Sequence, residues 1–275
     1  MAADQSTTAC LVDAHVHIYD CFDIEILLDA AVRNFSAVAS KHGLEDWFAV
    51  LMLTETAEDH AFQELVKAAE EARDRPADSR WQFKATGEAE SVVAHRDDGA
   101  SLVVIAGRQV VTRGKLEVLA LGTLETFDDG LEPDEALARV LNSNALAVLP
   151  WGVGKWWGSR GELIDVMLER TEKTKLLLGD NSGRPWLFPQ PAQFVRAAAE
   201  RRRILPGSDP LPFAREAVRV GSVGNIVAAE VSETAPAASL KQILRDPANQ
   251  VTGYMQLEGP VRFLRNQIGM QLRAR

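Results

Sequence analysis

Cysteine is nearly absent from this 275-residue chain: Cys10 and Cys21 are the only two. Two thiols cannot build a disulfide framework, so a small cross-linked secreted fold is excluded and a reducing, cytoplasmic compartment is expected. Basic residues are also scarce, with 30 Lys and Arg against 39 Asp and Glu and a net charge of −9. That balance argues against a nonspecific nucleic-acid binder or an acidic-membrane binder, since either needs a basic face. A small anionic substrate stays compatible, because a pocket needs only a few local cations. No apolar run approaches the roughly 20 residues that span a bilayer. The polar start, Met1 to Thr8, carries Asp4 and lacks a signal-peptide profile. Linkers rich in Gly, Ser or Pro, low-complexity tracts and solenoid-length repeats are missing as well, so residues 1–275 read as a single domain.

What the chain does contain is alternation. Cys10 to Val12 reads as a buried strand, and Asp23 to Lys41 places Leu28, Ala31, Phe35 and Val38 at helical spacing, with Gly43 as the stop. Phe48 to Leu53 is a second strand, and Thr56 is a candidate cap for the helix bearing Phe62, Leu65 and Val66. Residues 81–122 have a different texture. Short β-like runs separated by Gly87, Asp98-Gly99 and Arg113-Gly114 predict a meander of hairpins. Strand–helix alternation then resumes, with Pro133 at a helix start, strands at Ala145–Leu149, Leu176–Leu178 and Ile204–Leu205, and a helical tail from Pro260 to Arg273. Repeated strand–helix units imply a largely parallel sheet, and an α/β barrel is the expected form.

In such barrels, polar groups at the carboxyl ends of strands converge on one mouth. His15 and His17 follow the first strand, and an i, i+2 pair on extended backbone points to one side, where both imidazoles can reach one metal. Glu55 ends the second strand, Asp180 a later one, and Asp209 follows the strand through Leu205. Asp180-Asn181-Ser182-Gly183 reads equally well as an ordinary turn, and Glu55 equally well as a favourable charge at the next helix's N-terminus. Two imidazoles plus carboxylates suit zinc, manganese or iron. The loop from Pro150 to Gly158 carries Trp151, Trp156, Trp157 and Lys155 among glycines. It reads either as a pocket wall, with Trp151 against substrate and Lys155 and Arg184 gripping an anionic group, or as a hydrophobic plug with a solvated lysine.

From Leu11 to Val231 these segments, in their order, resemble the PHP (polymerase and histidinol phosphatase) family. Asp13-Ala14-His15-Val16-His17 is similar to its opening Asp-x-His-x-His, Leu53-Thr54-Glu55-Thr56 to a strand ending Thr-Asp-His, and Gly207-Ser208-Asp209 to Gly-Ser-Asp-Ala-His. The resemblance implies an α/β fold, a distorted (β/α)7 TIM-like barrel with an inserted β-hairpin region around residues 81–122. It also implies a metal cluster for phosphoester hydrolysis. Thr56, Gln109, Trp151 and Leu211 stand where the family has metal-ligating residues, and Glu117 sits near a histidine position. Tryptophan and leucine cannot ligate, and glutamine cannot bridge two cations. At most one divalent ion survives, on His15, His17 and Asp209 with Glu55. The same residues resemble the mononuclear sites of amidohydrolase-type barrels.

The expected function is therefore a metal-dependent hydrolase acting on a small phosphoester or amide through a metal-activated water. In it, Asp209 and Glu55 serve the chemistry as ligand or proton acceptor. The rival expectation is an inactive barrel that binds or regulates, with the tryptophans filling the old metal cavity. A lyase on the same scaffold is indistinguishable from the hydrolase in sequence.

Overall fold

The computed structural model describes residues 8–71, 79–181, 184–186, 189–255 and 259–273. The polar start before Thr8 and Ser182-Gly183 lie outside them.

The first five strands belong to one sheet. Strand β1 (Ala9–Val16) is buried at every position and leads to α1 (Ile24–His42). Asp23 caps that helix, its Oδ1 accepting from the Glu25 and Ile26 amides at 2.9 and 3.1 Å. Gly43 ends it at φ +66°, a left-handed conformation that glycine adopts without Cβ strain. Strand β2 (Trp47–Leu53) lies parallel to β1, with α2 (Ala61–Glu70) beyond it. The meander follows as β3 (Trp81–Ala85), β4 (Ser91–Arg96) and β5 (Ser101–Ile105), then β6 (Gly107–Val111) and β7 (Glu117–Leu121). Alternation resumes with α3 (Pro133–Asn142), β8 (Leu146–Pro150), α4 (Ser159–Arg170), β9 (Leu176–Asn181), α5 (Ala192–Ala199) and β10 (Ile204–Gly207). A 3-10 helix (Ala214–Arg219), β11 (Gly224–Val227), α6 (Pro236–Arg245), β12 (Val251–Tyr254) and α7 (Pro260–Arg273) complete it.

These strands do not close into the expected (β/α)7 barrel. They form a seven-stranded sheet, β12-β11-β1-β2-β5-β4-β3, and a five-stranded sheet, β10-β9-β8-β7-β6. The reason is local. Barrel closure would need β10 paired along β1, but antiparallel β11 occupies that edge, with Leu11 opposite Ile226. Nor is the pairing largely parallel, because β3, β4, β6, β7, β11 and β12 all enter antiparallel ladders. The region around 81–122 is no insertion into a barrel wall: β3 to β5 extend one sheet, and β6 and β7 begin the other. The chain changes sheet at Ala106–Gly107. A Cβ on Gly107 would lie 2.3 Å from the Leu53 carbonyl oxygen, so only glycine fits there.

The sheets pack face to face. One buried cluster joins Val12, Val50 and Ile105 of the larger sheet to Leu121, Val148 and Leu177 of the smaller, and α6 adds Leu240 and Leu244. Helices cover the outer faces: α1 and α2 over the larger sheet, α3, α4 and α5 over the smaller. Beyond this apolar packing, backbone hydrogen bonds tie the strand ends of the two sheets together. The Asp209 amide donates to the His15 carbonyl at 2.8 Å, and the Gln109 amide to that of Glu55 at 2.8 Å. No helix among the described residues is long and apolar enough to cross a membrane.

Candidate metal centre

The first of these seams positions the site. Strand β1 ends at His15-Val16 with His17 directly after it, and the chain leaving β10 turns at Asp209 with φ +42°. This left-handed conformation is uncommon outside glycine and best tolerated by Asp and Asn. Asp13 fixes both strand ends. Fully buried, its carboxylate accepts from the amides of Ser208 (2.8 Å), Gly221 (2.8 Å) and His15 (3.3 Å). Burial is the stronger influence on it and pushes its pKa up to about 6, against these donors.

His15, His17 and Asp209 converge. The two Nε2 atoms are 3.2 Å apart, and Asp209 Oδ1 lies 3.5 Å from His15 Nε2 and 3.6 Å from His17 Nε2. Among the described residues, this is the group of three whose ligand atoms lie close enough together to hold an ion. The spacing fits. Tetrahedral ligands about 2.05 Å from zinc are about 3.35 Å from one another. Burial, then the neighbouring His15, pull the His17 pKa down to about 4, which leaves a neutral imidazole with a lone pair to donate at pH 7. The His17 ring stacks on Tyr19 at 5.2 Å, and Thr54 Oγ1 sits 3.4 Å from its Nε2. Its Nδ1 has no hydrogen-bond partner among the described residues, so the outer anchor common to metal-bound histidines is missing at this ring. Burial raises the Asp209 pKa, but His15, His17, Lys155 and Arg219 outweigh it and hold the carboxyl below its usual range. Its Oδ2 accepts from Asn181 Nδ2 at 2.7 Å, which leaves Oδ1 toward the histidines.

Glu55 does not join them. Side chains alternate along a strand, so Thr54 reaches His17 while Glu55 turns to the outer face. There it accepts the Phe62 amide at 2.7 Å and pairs with Arg108 at 3.2 Å. It serves the start of α2, the helix-terminus role that sequence also allowed, and its pKa is raised by burial. Arg184 is consumed too, gripping Asp180 through Nη2 at 2.9 Å and Nε at 3.3 Å in a buried pair. Burial raises the Asp180 pKa against that arginine. Trp151 and Trp156 pack into the core between the smaller sheet and its helices, and Trp157 is 61% exposed. No indole fills the space between the histidines and Asp209. Trp151 contributes only its carbonyl, which accepts from Asn181 at 2.7 Å.

Lys155 is the one expected substrate-binding residue beside the site. It pairs with Glu117 and lines a cleft of about 240 Å³ over Asp209, with Asn181, Arg219 and, from α7, Asn266 and Gln267. Thr54, Asn181 and Arg219 escaped the sequence reading. Thr54 was findable from strand parity with Met52; Arg219 sits on a 3-10 turn with no apolar periodicity to reveal it.

No family model and no curated protein matches the chain. Among solved structures it is similar to PsfC from Pseudomonas syringae PB-5123, at 14% identity, a TM-score of 0.53, and coverage of 96% of this chain and 98% of that one. That likeness is one of fold.

Proposed function

We propose that the protein is a hydrolase that uses one divalent cation on His15, His17 and Asp209 and acts on a small anionic phosphoester or amide. The observation behind this is the ligand spacing of 3.2 to 3.6 Å at three buried or half-buried side chains from opposite ends of the chain. A bound cation would supply Lewis acidity, bringing the pKa of a water toward neutrality. Zinc, manganese and iron all accept two imidazoles and a carboxylate. The protein's part is positional. Asn181 fixes the Asp209 carboxylate, and Asp209, held ionised, can ligate or receive a proton. Lys155 and Arg219 line the cleft that leads to it, each paired with a carboxylate, Glu117 and Glu216, that an anionic substrate would share or displace. The resemblance to PHP and amidohydrolase sites points the same way, with the scaffold now two sheets rather than a barrel.

The test is metal analysis of the purified protein beside a His15→Ala/His17→Ala variant. About one ion per chain is expected in the first and almost none in the second. Equal, negligible metal in both overturns the proposal. Turnover of a generic phosphoester or anilide that is lost in the double variant would separate hydrolysis from mere binding.

A further inference from the structure

The outer face of β2 carries a second feature, unrelated to the histidines. Val50 and Met52 point between the sheets, and Thr54 follows them; Leu51 and Leu53 point toward α1 and α2, and Glu55 follows those. On that side a cleft of about 450 Å³ opens between α2 and the β3–β4 hairpin. Its walls are mostly apolar, with Phe62, Val66 and Ala69 from α2 and Val92 and Ala106 from the sheet. Leu124 stands at the rim, 46% exposed.

Of the polar groups lining the cleft, Gln63 and Glu70 are exposed, and most of the others are occupied. Glu88 accepts from Ser91 Oγ (2.8 Å) and from the Ala237 and Ala238 amides at the start of α6. Thr123 Oγ1 takes the Glu125 amide at 3.1 Å. Glu55 is taken by the Phe62 amide and by Arg108. Arg108 is only half used. Its Nη1 serves the carbonyls of Asp59 (2.9 Å) and Thr56 (3.3 Å) and the Glu55 carboxylate (3.2 Å). Its Nε and Nη2 have no partner among the described residues, although the side chain is only 11% exposed. Those two donors form the edge of a guanidinium that grips a carboxylate side-on. A mostly buried arginine whose Nε–Nη2 edge takes no protein partner among the described residues, on the wall of an apolar cleft of ligand size, leaves that edge available to a bound carboxylate.

We propose that this cleft binds a small amphiphilic carboxylic acid, with its carboxylate on the Nε–Nη2 edge of Arg108 and its hydrocarbon tail along Phe62, Val66 and Ala69. Glu70 lines the same cleft at the exposed end of α2 and disfavours a second negative charge, so the ligand is a monoanion with a neutral tail.

Octanoate is the probe, titrated calorimetrically into the full chain beside octanol and octylamine. Saturable 1:1 binding of octanoate is expected, with octanol weaker by about tenfold or more and octylamine silent. Arg108→Lys keeps a cation for the two carbonyls but removes the side-on fork. It is expected to weaken octanoate by about tenfold or more. Val66→Trp, checked for native circular dichroism, fills the wall and is expected to abolish binding. The His15→Ala/His17→Ala variant should bind octanoate as the parent does, which keeps this result separate from the fate of the metal site. Octanol binding as tightly as octanoate, an unchanged affinity in Arg108→Lys, or no saturable octanoate binding would each overturn the proposal.

Discussion

At the level of single residues, the site is held by backbone as much as by side chains. Asp209 adopts φ +42° because its amide must meet the His15 carbonyl while its carboxylate meets the two rings. Asparagine tolerates that conformation nearly as well, and it can keep the Asn181 contact through its carbonyl oxygen. Asp209→Asn is therefore expected to change stability by less than about 1 kcal/mol while metal content falls sharply. Denaturant titration and metal analysis on one preparation check both halves. Wild-type metal content in the variant would assign Asp209 a structural role only. His15, His17 and Asp209 were legible in the sequence because each follows a buried strand. Glu55 and Arg184 were equally well placed by that rule and still turn elsewhere. Strand ends alone do not say which face a residue takes, nor that Asp180 sits four positions from Arg184 to capture it.

Among elements, the helices up to α5, the tail helix and most strands were readable, including the short β8 and β10, whereas β6, β11 and β12 were not. Helix α1 has a capping aspartate, a four-residue apolar rhythm and a terminal glycine, and α7 spans the residues its spacing predicts. Strands β11 and β12 are four residues each, with glycine and asparagine among them, and β6 begins Gly-Arg-Gln. Their pairing, not their composition, makes them strands. The joint between α1 and the hairpin carries a charge dependence. Asp29 on α1 meets Arg96 at 2.9 Å, Trp81 Nε1 at 3.0 Å and Arg80 at 2.5 Å. Burial raises its pKa, but the hydrogen bonds from Arg96, Trp81 and Arg80 outweigh that and leave it below the usual range. A carboxyl depressed in the folded state contributes stability that is complete above its unfolded pKa and lost as pH falls through the folded one. Stability of the parent should therefore drop faster than that of Asp29→Asn below about pH 4. Parallel acid-denaturation curves for the two would exclude the coupling.

For the whole molecule, the sequence conveyed an α/β chain with a β-rich middle but not its closure. Barrel and paired-sheet arrangements share the same strand–helix rhythm, and the difference lies in which strand takes β1's second edge. The answer, β11, comes after the last strand that the rhythm revealed. The end of the chain is fastened differently. Glu216, wholly buried on the 3-10 helix, pairs with Arg219 at 3.2 Å and, from α7, with Arg262 at 3.0 Å. Removing this buried carboxylate takes a shared partner from both arginines. Glu216→Ala should cost about 3 kcal/mol, the lower end for breaking a buried pair because Arg262 is partly exposed. Hydrogen exchange should quicken in α7 before it does in β1. Uniform exchange across both elements would show that α7 is not separately anchored.

The bond from the Asp209 amide to the His15 carbonyl also sets a timetable. A nascent polypeptide that has emerged only as far as β9 carries both imidazoles but not the Asp209 carboxylate that meets them. The trio comes into being only when a late turn docks on the earliest strand, a closure of high sequence separation and correspondingly slow. If the trio holds the proposed ion, capacity to capture it would be a marker of finished folding, and a chain interrupted before that turn would leave the two histidines without Asp209.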